Sequence, residues 1–285
     1  MRRRDMLGCG AALASTLLGA GAMAAQPQLR VGLTAVILAD QAAFLARWSE
    51  YLSERVGAQV IFVARESYQA ILDMLFSDQL DAAWICGYPY VRHQSQLELL
   101  AVPLYRGEPR YQSYLIRTRG QAPDIKGWSD LKNSVLAYSD PLSNSGWLVA
   151  QAQLRAAGLS QRDLRRTFFA HGHRNVAEAV AIGLAHAGCI DGYVWETMQL
   201  QKMAPAANTE VIWKSDFYAF PPMVVRAGGG SAALSALGGA LMTMHDDAAG
   251  QALLHALNLN GFSSAAPALF DSIKALAVSV GAVRA

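Results

Sequence analysis

The spacing of apolar positions divides the chain into short alternating strands and helices of two to four turns. Residues 29–33 (LRVGL) alternate and predict a strand, and 41–56 place Phe44, Leu45, Trp48, Leu52 and Val56 at helical spacing, closed by Gly57. A strand over 59–63, a loop at 65–68, a helix over 69–76 and a strand over 81–85 follow, then a turn at 86–90, a helical stretch at 91–96 and a strand over 99–104. This β-α-β-α-β-α-β order predicts an open, mostly parallel sheet. A new strand is predicted at 111–117 (YQSYLIR), then a helical turn at 128–131 and strands at 135–138, 167–170, 189–194 and 211–213, with helices at 147–157, 176–185 and 195–203. This is a second α/β sheet. Residues 215–222 read as an irregular aromatic crossing, 223–226 as a strand, and 234–244, 249–257 and 270–280 as helices without further strands.

Helices left over at the C-terminus need a sheet to pack on, and the first sheet is the available one. The expected lobes are therefore 25–108 with 217–285, and 109–216, with crossings near 105–111 and 213–223. Two lobes joined by a two-strand hinge suit a cleft binder that closes on its ligand. In open α/β sheets ligands lie beyond the carboxyl ends of strands. Here those ends lead into residues 65–68, 86–90, 140–146, 171–175 and 191–196.

The most informative of these stretches is 135–158, VLAYSDPLSNSGWLVAQAQLRAAG. Asp140-Pro141 breaks a buried strand, and Ser143-Asn144-Ser145-Gly146 precede a helix. Hydroxyl and amide side chains there cap free N–H groups. The same N–H groups, with the positive end of the helix dipole, make a seat for an oxyanion. Both readings remain open on this stretch alone.

The chain has 285 residues, 53% hydrophobic and 16% charged, which excludes a disordered chain. Arg2-Arg3-Arg4, the uncharged stretch 7–23 and Ala22-Met23-Ala24 predict a cleavable export signal over 1–24, with Arg3-Arg4 also fitting a twin-arginine signal. Without it the chain holds 21 basic and 21 acidic residues. Bulk charge therefore attracts no partner, and nucleic acid binding is not expected. Cys86 and Cys189 lack metal-ligand spacing and read as buried free thiols. His171-Gly172-His173 offers too few ligands for a metal site.

Four segments, 81–91, 100–117, 130–149 and 170–196, resemble the phosphate/phosphite/phosphonate-binding proteins of ATP-binding-cassette importers, and the resemblance runs from about 29 to 226. It implies a type II periplasmic solute-binding fold, no catalysis and no cofactor, a periplasmic location, a small anionic ligand and an inner-membrane permease as partner, with the chain acting as a monomer. By the same resemblance Tyr68 and Tyr90 face the ligand, Ser143, Asn144 and Ser145 match the loop that holds phosphonate oxygens, and His173 matches a histidine of the opposite loop. Asn144 stands where the family has Thr, and would still offer an amide donor. At the positions that meet a substrate amine this sequence has Tyr193 and Pro221, with Asp191, Glu196 and Asp216 nearby. These departures favour a non-aminated anion such as phosphite, phosphate or a simple phosphonate. The candidate ligand-binding residues are thus Tyr68, Tyr90, Ser143, Asn144, Ser145, His173, Asp191 and Tyr193. Two other classes remain: a sensory module that presents its ligand-bound form to a membrane receptor, and an enzyme using Cys86 or His173.

Overall fold

A computed structural model of the chain describes residues 27–34, 42–120 and 124–283. The export-signal reading over 1–24 lies outside the described residues. The chain begins with β1 (Gln28–Leu33), α1 (Ala42–Val56), β2 (Gln59–Ala64), α2 (Tyr68–Phe76), β3 (Ala82–Trp84), α3 (Gly87–Arg92) and β4 (Leu97–Leu104). Helix α1 buries Phe44, Trp48, Tyr51 and Leu52 on one stripe, as spacings of three and four residues require. Gly57, at φ 69°, supplies the left-handed residue that ends it. Trp48 stacks on Phe62 and meets Trp84 edge-on, with ring centroids 4.6 and 6.0 Å apart, which pins α1 to the sheet. The predicted helix at 91–96 instead begins at Gly87, immediately after strand β3.

The middle of the chain contributes β5 (Arg110–Thr118), β6 (Val135–Tyr138), α4 (Val149–Ala156), β7 (Arg166–Phe169), α5 (His173–Ala181), β8 (Ala187–Asp191), α6 (Gly192–Leu200), the one-turn α7 (Ala204–Ala207) and β9 (Thr209–Ala219). The chain then returns through β10 (Met223–Arg226), α8 (Ala232–Met242), α9 (Ala248–Ala256), β11 (Gly261–Ser263) and α10 (Asp271–Ser279).

Two sheets result, with orders β11-β4-β10-β3-β1-β2 and β7-β6-β8-β5-β9. Strands β1, β2 and β3 run parallel, as do β6, β7 and β8. The returning β10 inserts antiparallel between β3 and β4, and β11 adds an antiparallel edge beside β4. The strand at 261–263 was not expected among the C-terminal helices, because three residues are too few to show a period. The segment read as an irregular crossing is also regular for most of its length. Strand β9 continues to Ala219, where it pairs with Arg110 of β5. The crossings at 105–109 and 220–222 lie side by side, joined by the bond from Phe220 N–H to the Pro109 carbonyl at 2.8 Å.

Candidate functional site

Every predicted site loop leaves the carboxyl end of a strand, where the open-sheet rule places ligands. Strand β6 ends at Tyr138, and the chain turns at Asp140, whose Oδ1 accepts the Leu142 N–H at 2.7 Å. Ser143 then accepts the Gly146 N–H at 2.9 Å on its Oγ. Residues Asn144–Leu148 form one π turn that feeds α4, with the Leu148 N–H reaching the Ser143 carbonyl at 3.0 Å. Gly146 is required by space. A Cβ there would stand 1.9 Å from the Ser139 hydroxyl oxygen. The loop is fixed from β5 as well, where Ser113 Oγ donates to the Ser145 carbonyl at 2.7 Å.

The first sheet brings Tyr68 and Cys86 against this loop. Tyr68 opens α2 behind the capping residue Ser67, and its N–H donates to Asp140 Oδ2 at 3.2 Å. Cys86 ends the β3 turn, and its sulfur accepts the Asn144 N–H at 3.3 Å. Asp140 is therefore more than a turn residue, since its two carboxyl oxygens bind the loop and the start of α2. Burial raises its pKa, and the Leu142 and Tyr68 N–H groups oppose that rise.

His173 is the first residue of α5, not a loop residue, and the Gly172 before it has φ 144°, a conformation that only glycine adopts easily. Its Nδ1 accepts the Asp191 N–H at 3.0 Å, so the ring hydrogen sits on Nε2. Nε2 lies 3.3 Å from the Tyr68 hydroxyl oxygen, which turns the tyrosine's own hydrogen elsewhere. Complete burial pushes the His173 pKa down to about 3, so the ring is neutral. Burial holds the Tyr68 and Tyr111 hydroxyls well above the ordinary tyrosine range, so both keep their hydrogens.

Tyr68, Ser143, Asn144, Ser145, His173 and Asp191 thus converge, each at most 1% exposed. Tyr90 and Tyr193 are placed differently. The Tyr90 ring packs on Phe270 at 4.6 Å, within the structure around the first sheet. Tyr193 donates its hydroxyl to the Leu257 carbonyl at 2.5 Å and meets Phe220 edge-on at 5.0 Å. It ties α6 to the end of α9. Asp191 caps α6 by accepting from Tyr193 and Val194 N–H groups, and burial pushes its carboxyl up to about 8. The strand predicted over 189–194 accordingly ends at Asp191. Neither Asp140 nor Asp191 has an ion-pair partner among the described residues.

Sequence reasoning missed Tyr111, whose hydroxyl accepts from Asn144 Nδ2 at 3.1 Å. The signal was present in the alternation of 111–117, which puts Tyr111 and Ser113 on one face of β5. Both serve the 144–145 turn. Three side-chain atoms in the loop are fully buried without a well-formed hydrogen bond among the described residues: Ser139 Oγ, Asn144 Oδ1 and Ser145 Oγ. Glu196 of α6 forms a further contact, with the crossing at 105–106 and with β5. It accepts from Tyr114 at 2.6 Å, pairs with Arg106 at 2.7 Å, and accepts from Tyr105.

A family model described as the periplasmic substrate-binding protein of the ABC phosphonate transporter matches residues 36–270. The phosphate-import protein PhnD of Mycolicibacterium smegmatis is 26% identical over 185 residues, covering 59% of this chain and 56% of that protein. The probable ABC transporter phosphite binding protein PhnD1 of Prochlorococcus marinus is 23% identical over 178 residues, 60% of each chain. The matched part thus spans less than two thirds of these curated relatives. Among solved structures, a binding protein component of the ABC phosphonate transporter from Pseudomonas aeruginosa superposes with a TM-score of 0.81 at 20% identity, covering 90% of this chain and 87% of that one. PhnD1 of Prochlorococcus marinus in complex with methylphosphonate gives 0.77 at 19% identity, covering 90% and 99%. The fold is that of the type II periplasmic binding proteins.

Proposed function

The chain belongs to the phosphonate-binding periplasmic substrate-binding proteins of ABC transporters, and on that premise we propose that it captures a phosphate-, phosphite- or phosphonate-like oxyanion between two lobes and delivers it to an inner-membrane permease. The lobes are 25–108 with 217–285, and 109–216. The observation that carries this reading is the convergence of the Ser143–Ser145 turn with Tyr68 and His173, groups drawn from both sheets into one buried cluster. The seat offers hydroxyl groups at a helix start, which suits a tetrahedral oxyanion.

In this reading Ser143, Ser145 and Tyr68 donate to the anion. His173 fixes Tyr68 through Nε2. Asn144 and Asp191 border the seat, and Tyr90 and Tyr193 pack around the cleft. Contacts between the sheets, Tyr68 to Asp140 and Tyr193 to Leu257 among them, form on closure and break on release. Acting as a monomer, the protein performs no chemistry and uses no cofactor. In support of that, burial pushes the Cys86 thiol up to about 11, and the His173 Nε2 is engaged by Tyr68, so the pair lacks a thiolate and a base. Export by the signal over 1–24 places it in the periplasm, and its balanced charge offers nothing to nucleic acid. A sensory role would use the same closed form and is separated by whether a permease or a sensor kinase pairs with it.

Isothermal titration with phosphite, phosphate, methylphosphonate and 2-aminoethylphosphonate tests the assignment. Binding of a non-aminated anion more tightly than 2-aminoethylphosphonate supports it, and tightest binding of the aminated ligand overturns it.

A further inference from the structure

Asn144 stands at the head of the anion-binding turn with its backbone N–H and one of its two amide hydrogens already placed. Its backbone N–H goes to Cys86 Sγ at 3.3 Å, and its side-chain Nδ2 goes to the Tyr111 hydroxyl at 3.1 Å. Sequence reasoning counted the amide as a donor for the ligand, but the structure directs that donor to β5. Beside the second Nδ2 hydrogen stands Oδ1, an acceptor with no hydrogen of its own, fully buried and without a partner among the described residues. The neighbouring Ser145 Oγ is buried beside the Tyr111 hydroxyl without a well-formed hydrogen bond. A hydroxyl rotates to give or to take, and an amide oxygen only takes. Asp140 and Asp191 are buried at the same strand ends, and no cation pairs with them among the described residues.

A fully deprotonated tetrahedral anion presents oxygens only. Against Asn144 Oδ1 it would leave that acceptor unpaired and place two electron-rich oxygens together. An anion that keeps one P–OH satisfies it and still offers its other oxygens to Ser143, Ser145 and Tyr68. We propose that Asn144 is a specificity determinant that reads a hydrogen on the bound oxyanion, so that the site takes a hydrogen phosphonate or hydrogen phosphate and rejects the isosteric sulfonate. Tyr111 is the positioning residue, because its hydroxyl holds Nδ2 and so aims Oδ1. The inference rests on the function proposed above and narrows its substrate class.

Methylphosphonate and methanesulfonate have nearly the same shape, and at neutral pH only the first carries a hydroxyl hydrogen. Isothermal titration of the mature chain with each gives the ratio of affinities. The expected preference for methylphosphonate is about 5- to 150-fold, the cost of an unpaired buried acceptor expressed as a ratio. Asn144→Ala is expected to bring the two ligands within about threefold of each other, since the acceptor that separates them by that cost is gone. Tyr111→Phe keeps the ring in its packing and frees the amide to turn its Nδ2 inward, so it too is expected to lower the ratio, by improving methanesulfonate binding. Equal affinity of the wild type for both ligands overturns the inference and leaves the oxyanion-binding function standing. An unchanged ratio in both variants overturns it as well. Failure of the wild type to bind methylphosphonate, phosphite and phosphate alike removes the proposed function and this inference with it.

Discussion

Replacing Ser145 with alanine separates a ligand-binding role for the 143–146 turn from a merely structural one. In the free chain Ser145 Oγ is fully buried beside the Tyr111 hydroxyl and makes no well-formed hydrogen bond, so its removal breaks at most one weak contact. Folding stability should therefore stay level or rise slightly, since a poorly paired buried hydroxyl is lost. Ser143 is the contrast, because its Oγ caps the turn by accepting the Gly146 N–H at 2.9 Å. Ser143→Ala should cost about 0.5–2 kcal/mol of stability as a lost cap. Binding should weaken for both, because each hydroxyl donates to a charged acceptor, worth about 1.5–3 kcal/mol or about 10- to 150-fold in Kd. Urea unfolding without ligand and isothermal titration with methylphosphonate measure the two quantities separately. If Ser145→Ala loses stability as Ser143→Ala does while Kd stays the same, the turn is a helix cap and not an anion seat.

Gly146→Ala places a Cβ 1.9 Å from Ser139 Oγ and should cost about 1–3 kcal/mol or more through overpacking, read by thermal unfolding; an unaltered midpoint would refute the packing described for the loop. The pH dependence of stability follows from two buried groups with opposite shifts. Burial pushes Asp191 up to about 8 from about 3.9 unfolded, so the native state binds the extra proton between those values and stability falls as pH rises through that window. Burial pushes His173 down to about 3 from about 6.5 unfolded, so stability is lost as pH falls from 6.5 to 3. The two slopes oppose each other between about 4 and 6.5, and Asp191 alone acts above that. Asp191→Asn, which keeps the Oδ1 cap, should flatten the decline between about 6.5 and 8 in urea unfolding series; a slope identical to wild type would contradict the burial of that carboxyl. Glu196→Gln weakens the contact with Arg106, Tyr105 and Tyr114 and should raise the radius of gyration of the ligand-free chain in small-angle scattering, whereas an unchanged radius would show that this contact does not hold the lobes together.

The strands at 135–138 and 223–226 were legible to the residue, because each is a short apolar run bounded by breaking residues. The order of the strands in the sheets was not. β10 lies between β3 and β4 although more than a hundred residues separate it from them in the chain, and no local pattern records a return of that length. Ends of elements were misplaced where a strand passes directly into a helix, as at Asp191-Gly192, since apolar residues continue across the junction. The turn proposed as the seat was legible from Ser143, Asn144, Ser145 and Gly146 ahead of a helix. Its wiring was not. Hydrogen bonds accepted by Tyr111, Asp140 and Cys86 join residues 33, 72 and 58 positions apart, and these bonds decide which atoms remain free in the turn. Tyr90 was placed at the ligand by the family resemblance and Tyr193 by its match to an amine-binding position, and no local pattern showed that their rings pack on Phe270 and Phe220.

The central claim is that the turn after β6 seats an oxyanion held from both sheets. A crystal structure of the chain with methylphosphonate tests it most directly. The account predicts phosphonate oxygens at about 2.5–3.0 Å from Ser143 Oγ, Ser145 Oγ and the Tyr68 hydroxyl, as charge-assisted bonds require. An anion bound away from this turn, or one held here with both serine hydroxyls turned from it, would contradict the account.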